Sequence, residues 1–101
     1  MILYNVTVSV EKNISEQWIK WMKTEHIPEV MATRCFKDYK LLHLETETPD
    51  NPGITYCIQY WCKSKAELNN YLEKHAAGLR AAHQKAFPNK FVAFRTILNE
   101  I

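Results

Sequence analysis

The sequence predicts an α+β fold in the order β-α-β-β-α-β: one four-stranded antiparallel sheet with two helices on one face. Three observations carry that prediction. Residues 2–10, 36–47 and 54–62 change character at every second position, as half-buried strands do. Residues 15–27 and 64–86 repeat their apolar residues every three or four positions, as amphipathic helices do. The middle strands are separated only by Thr48-Pro49-Asp50-Asn51-Pro52-Gly53, whose composition makes a turn.

In residues 2–10, Tyr4, Val6, Val8 and Val10 share one face, and Leu3, Asn5, Thr7 and Ser9 the other. Asn13 and Ser15 offer caps for the first helix. At 100° per residue its stripe holds Ile14, Trp18, Trp21 and Met22. Pro28 has no N–H to give Thr24, and its ring crowds that carbonyl. The helix must kink or restart there, with Pro28 opening a short second piece that ends at Thr33. In residues 36–47, Leu42 and Leu44 oppose Tyr39, Leu41 and His43. In residues 54–62, Ile54, Tyr56, Ile58 and Tyr60 fall on one side. Ser64 followed by Glu67 is a capping box for the second helix, whose stripe holds Leu68, Leu72, Leu79 and Ala82. Phe87-Pro88-Asn89 ends it, and residues 90–98 form the last strand. This order matches the ferredoxin-like arrangement.

A length of 101 residues fits one domain, spanning 1–101. With 47% hydrophobic residues and only two Gly and four Pro, the chain is neither disordered nor a linker. Thirteen basic against 11 acidic residues give no field able to hold nucleic acid by charge. No run approaches the roughly 20 apolar residues of a membrane span. Met1 to Val10 lacks the basic start of a secretory signal and is interrupted by Asn5, Thr7 and Ser9. Three cysteines without a CxxC, two of them (Cys57 and Cys62) on opposite strand faces, indicate reduced thiols and a cytoplasmic protein.

The uncovered sheet face is expected to carry Leu3, Asn5, Thr7, Leu41, His43, Cys57, Gln59 and Trp61. From the last strand it receives either Phe91, Ala93, Arg95 and Ile97 or their neighbours. That surface is too apolar for water and too polar for a core. A second copy placed sheet to sheet would bury both, making Leu3, Asn5, Leu41, Cys57, Trp61 and Arg95 the expected homodimer interface.

Five stretches extend these readings by resemblance: Trp18-Ile-Lys-Trp-Met22, His26-Ile-Pro-Glu-Val-Met-Ala-Thr33, Ile58-Gln-Tyr-Trp61, Tyr71 to His83, and Val92-Ala-Phe-Arg-Thr96. On these the chain resembles the DUF4286 family of uncharacterised small bacterial proteins, within the dimeric α/β barrel superfamily. The resemblance implies a dimeric ferredoxin-like barrel and no established activity. The superfamily includes quinone-forming and heme-degrading monooxygenases as well as ligand-sensing modules, so the fold does not choose among them. Its heme-degrading members use an Asn on the first strand with a Trp and a His on the second helix. Here that would involve Asn5, Tyr71 in place of the Trp, and His75 or His83, with Asn5 pointing away from the helices.

Candidate chemistry centres on His75, which the helical projection puts within about 20° of the centre of the second helix stripe. There a neutral imidazole either bonds to a core partner such as Tyr56 or Tyr60, or lines a pocket with Tyr71. Glu25 falls in the first helix stripe, unless the kink at Pro28 carries it and His26 to the surface. The expected ligand-binding set is His75, Tyr71, Glu25, His26, Tyr56 and Tyr60. His75 and His83 lie about 12 Å apart along a helix and cannot share a metal, and no phosphate-loop or nucleophile-elbow motif occurs. Neither metal nor cofactor is therefore expected. The favoured function is a homodimeric binder of a small molecule between helices and sheet. The alternatives are a cofactor-free or heme-using monooxygenase and a purely structural dimer.

Overall fold

The computed structural model describes residues 1–46 and 52–101. Strand β1 (Ile2–Val10) is followed by a 3-10 turn (Lys12–Ile14), α1 (Ser15–Trp21), a π-helical turn (Met22–His26) and α2 (Ile27–Ala32). Then come β2 (Asp38–His43), β3 (Ile54–Cys62), α3 (Lys65–Lys74), α4 (Ala76–Ala86) and β4 (Phe91–Asn99). The sheet order is β2-β3-β1-β4, with all three pairings antiparallel. This is the ferredoxin-like α+β topology that the alternation implied. The ladder outlasts β2 at both ends, since Lys37 N–H donates to the Trp61 carbonyl at 2.7 Å and Leu44 N–H to the Thr55 carbonyl at 2.9 Å. Residues 47–51, where the end of the expected second strand and most of the expected turn fall, lie outside the described residues.

The core lies between one sheet face and the helices. Tyr4, Val8 and Val10 of β1 and Tyr56, Ile58, Tyr60 and Cys62 of β3 are buried against Trp18, Met22, Ile27, Val30, Leu68 and Tyr71. The Ser64 hydroxyl caps α3 by accepting from the Glu67 N–H at 3.3 Å.

Pro28 acts as expected, with a local geometry that the helical projection lacks. It sits at the start of α2, and the strain upstream is absorbed by the π turn, where the Ile27 N–H reaches back to the Met22 carbonyl. A π turn holds about one residue more than an α turn, which delays the stripe by one position. After Trp18 and Met22, the next inward side chain is therefore His26, and Glu25 is exposed. The second helix is also not one piece. His75 has φ −123° and ψ −34°, outside helical geometry, and divides α3 from α4. Beyond it the inner face passes through Ala76 and His83, and Ala82 is only half-buried.

The register corrects three expected positions on the open sheet face. One cross-sheet row runs Leu41, Ile58, Val6, Arg95, and Ile58 is core. Leu41 and Arg95 therefore lie on the helix-covered face, as does His43 opposite Tyr56. The neighbouring row, Leu42, Cys57, Thr7, Phe94, lies on the open face. Cα partners directly opposite each other share a face, so the parity of β2 and β4 follows from β3 and β1. Leu3, Asn5, Cys57 and Trp61 are on the open face as expected. Beside them Val92 and Phe94 are 71% and 63% exposed.

Candidate ligand-binding cleft

Two tryptophans one helical turn apart enter the helix–sheet interface from α1. Trp18 is fully buried, and its indole Nε1 donates to Nε2 of the buried His83 at 2.9 Å. An indole N–H can only donate, so Nε2 of His83 must be unprotonated and the ring is the neutral Nδ1–H tautomer. The environment agrees: burial first, then His26, then the Arg95 charge hold the His83 pKa down at about 3. The ring stacks face to face on Phe91 at 3.8 Å between centroids and on Trp21 at 5.5 Å.

His26 stacks on the other contact of this cluster, 5.0 Å from Trp21 and 5.3 Å from His83. Burial, and then the Arg95 charge, push its pKa down to about 4, so it too is neutral at pH 7. Its Nδ1 is buried with no hydrogen-bond partner among the described residues. Arg95 enters from β4, and its Nε is likewise buried without a partner among the described residues. Both residues line one cavity of about 20 Å³, with Tyr4, Tyr60, Tyr71 and Arg80 among the other walls. That volume is room for about one water. Arg80, itself exposed, donates from Nη2 to the buried Tyr4 hydroxyl at 3.0 Å and so spans the edge of the cleft. Burial first, then neighbouring tyrosines, raise the Tyr60 pKa, and burial and Tyr4 raise that of Tyr71. Both phenols are neutral donors.

Of the six ligand-binding residues expected from sequence, the structure brings His26, Tyr60 and Tyr71 to the cavity. His75 is half-buried at the α3–α4 junction, with its ring 6.3 Å from Tyr71, and is not in the lining. The distorted backbone at His75 moves the imidazole role of the second helix to His83. Tyr56 stacks on Trp18 at 5.1 Å, as a core residue. Glu25 is exposed because of the π turn. His83, Arg95, Arg80 and Tyr4 join the cleft in addition. Arg95 could have been found by carrying the register from Val6, and His83 by asking what accepts the Trp18 N–H. Among the described residues no three His, Cys, Asp or Glu side chains gather as a metal site would need.

The model of a family described as "Domain of unknown function (DUF4286)" matches residues 1–101. The chain belongs to the DUF4286 family. No curated protein matches it. Solved structures share the fold of this DUF4286 chain at low sequence identity. A protein from Arabidopsis thaliana superposes with a TM-score of 0.70 at 13% identity, covering 100% of this chain and 98% of the other. SnoaB, a cofactor-independent oxygenase from Streptomyces nogalater, gives 0.64 at 12% identity, covering 98% and 91%. A dimeric ferredoxin-like protein from an uncultured marine organism gives 0.61 at 13% identity, covering 99% and 97%. These likenesses establish the fold. Among the described residues no helix is long and apolar enough to cross a membrane.

Proposed function

We propose that this DUF4286 protein is a homodimer that binds a small molecule in the cleft between its helices and its sheet. The observation that carries the binding role is the pair of unsatisfied polar atoms, His26 Nδ1 and Arg95 Nε, on one cavity. Leaving a buried polar atom unpaired costs about 1–3 kcal/mol, more for a charged group, and folded proteins rarely carry two at one place without a use. At about 20 Å³ the closed cavity holds about one water, so the polar head of a ligand enters by parting the Arg80–Tyr4 contact, with the body of the ligand beyond it. Dimerisation is supported by the apolar open face, where Phe94, Val92 and Leu98 stand exposed beside Leu3 and Trp61. One sheet face per copy is about what a standard interface of roughly 1,600 Å² requires. The dimeric ferredoxin-like neighbour is consistent with that assembly.

The alternative is an oxygenase in the manner of SnoaB, or a heme-using relative. General-base chemistry at neutral pH works best with a group whose pKa is near 7. The two imidazoles of this cleft lie well below that, at about 4 and 3, which favours binding over proton abstraction. Mass spectrometry of the protein as isolated, under native conditions, tests the proposal. A dimer carrying a stoichiometric small molecule that is lost in Tyr71→Ala supports it. A bare monomer whose cleft resonances answer to no compound in a fragment collection sinks it. A Soret shift on heme addition would move the assignment to the monooxygenase.

A further inference from the structure

We infer that the cleft recognises an anion, a carboxylate or similar oxyanion at the end of a small organic molecule, held by Arg95 and Arg80. This rests on the cleft being a binding site, as proposed above. The cavity lining contains two guanidiniums, two imidazoles and three phenols, and among the described residues no carboxylate. The Arg95 side chain has no ion pair or hydrogen bond among the described residues, although its Nε is buried. A half-buried guanidinium without a counter-charge is unusual, because desolvating a cation is costly unless an anion compensates. Its neighbours cannot compensate it: His26 and His83 are neutral, and Tyr60 and Tyr71 stay protonated. Among the described residues nothing supplies the compensating charge, and an anion from outside the chain would. A carboxylate suits a guanidinium best, since its two oxygens match the planar fork of donors.

The remaining walls fit the same ligand. Tyr71 lies within the electrostatic reach of both Arg80 and Arg95, so its hydroxyl is placed to donate to the same anion. Nδ1 of His26 is the second unsatisfied atom on the cavity; with Nε2 as the acceptor, it can carry the ring proton and donate as well. Among the described residues Arg80 donates to the Tyr4 hydroxyl, a neutral acceptor that it can exchange for a charged one. Tyr4, Val6, Ile58 and Leu79 provide an apolar surround that excludes water and strengthens the charged contacts.

Benzoate and benzamide, nearly identical in shape and differing in charge, separate the possibilities. Both are titrated at fixed ionic strength into the intact protein while the imidazole nitrogen signals of His26 and His83 are followed by NMR. Benzoate is expected to shift both signals saturably and to bind at least about tenfold more tightly than benzamide, the order expected for charge-assisted hydrogen bonds. Arg80→Gln, at an exposed position, should weaken benzoate several-fold more than it weakens benzamide. Arg95→Gln should abolish the preference for benzoate, with folding verified by circular dichroism. If that variant does not fold, the wild-type comparison and Arg80→Gln decide alone. Equal binding of the two probes would overturn the anion inference and leave the cleft as a binding site. No response of either imidazole to either probe would overturn both.

Discussion

Trp18 and His83 are joined across the core by one buried hydrogen bond, indole Nε1 to imidazole Nε2 at 2.9 Å. They come from the two helical segments that flank the middle strands, so the bond fixes how those segments sit on the sheet. It also fixes the tautomer of His83, and through it the neutral, aromatic floor beside the cleft. Replacing His83 with Leu keeps bulk and removes the acceptor. The Trp18 N–H is then buried without a partner, which costs about 1–3 kcal/mol. Urea unfolding should show that loss with an unchanged m-value. A change under about 0.5 kcal/mol would mean that the indole finds another partner and that the bond does not order the core.

The two buried imidazoles make stability pH-dependent in a definite direction. Their folded pKa values, about 4 and about 3, lie below the unfolded value of 6.5. Between those limits the unfolded chain binds more protons than the folded one, so stability rises with pH. Stability is fully present above about pH 6.5 and is lost progressively as pH falls toward 3. The two sites interact and His26 is only half-buried, so the combined loss is on the order of a few kcal/mol. Thermal melts from pH 7.5 to 4 should show a falling Tm, and ring signals of His26 and His83 should remain those of neutral imidazole at pH 5.5. Titration of either near pH 6.5 would contradict its placement.

The strands, the order of elements and the turn of the chain at Pro28 were legible because each depends on local periodicity or on a single residue with one mechanical effect. The site was legible only in part, and the errors have a common cause. A projection at a fixed 100° per residue has no way to represent a π turn, which turned Glu25 out and His26 in. Nor does it represent the distorted residue at His75, which left His83 as the inward imidazole. On the sheet, the faces of β2 and β4 depended on register with β3 and β1. A single step of parity separated Leu41 from Leu42 and Arg95 from Phe94. Where the alternation was strict, as in β1 and β3, every face came out right.

The open sheet face supplies a direct test of the proposed dimer. Phe94 is 63% exposed and lies in the row with Thr7 and Cys57. Phe94→Glu places a charge in that apolar row without touching the core. If two copies bury this face, the variant should sediment as a monomer at concentrations where the wild type is a dimer, because a buried unpaired carboxylate costs several kcal/mol. Identical sedimentation of the two proteins would exclude this face as the interface.

Arg34 follows α2 with φ 63°, a left-handed conformation that a residue with a Cβ adopts at a cost. Its N–H bonds the Met31 carbonyl at 3.1 Å, closing the helix end. Arg34→Gly should retain that bond and stabilise the fold by up to about 1 kcal/mol, and Arg34→Val should destabilise it by more. The pair of chemical denaturation midpoints reads this directly. A loss of stability in Arg34→Gly would show that the Arg side chain outweighs the backbone strain.

Pro28 connects the kink to the cleft, and its removal tests the connection. Pro28→Ala restores an N–H that could bond Thr24 and lets residues 22–28 relax toward a regular α-helix. On propensity alone this favours the variant. The inner face opposes it. In a regular helix the position that follows Trp18 and Met22 inward returns to Glu25, whose carboxylate would be desolvated beneath the tryptophans, while His26 would leave its stack on Trp21. The cost of burying a carboxylate exceeds the gain of one backbone hydrogen bond. The π turn should therefore persist in Pro28→Ala, with stability changed by less than about 1 kcal/mol and the His26 ring signal unmoved. If instead the variant gains stability and His26 begins to titrate as an exposed imidazole, proline alone sets the phase of this helix, and the packing of Trp21 on His26 does not.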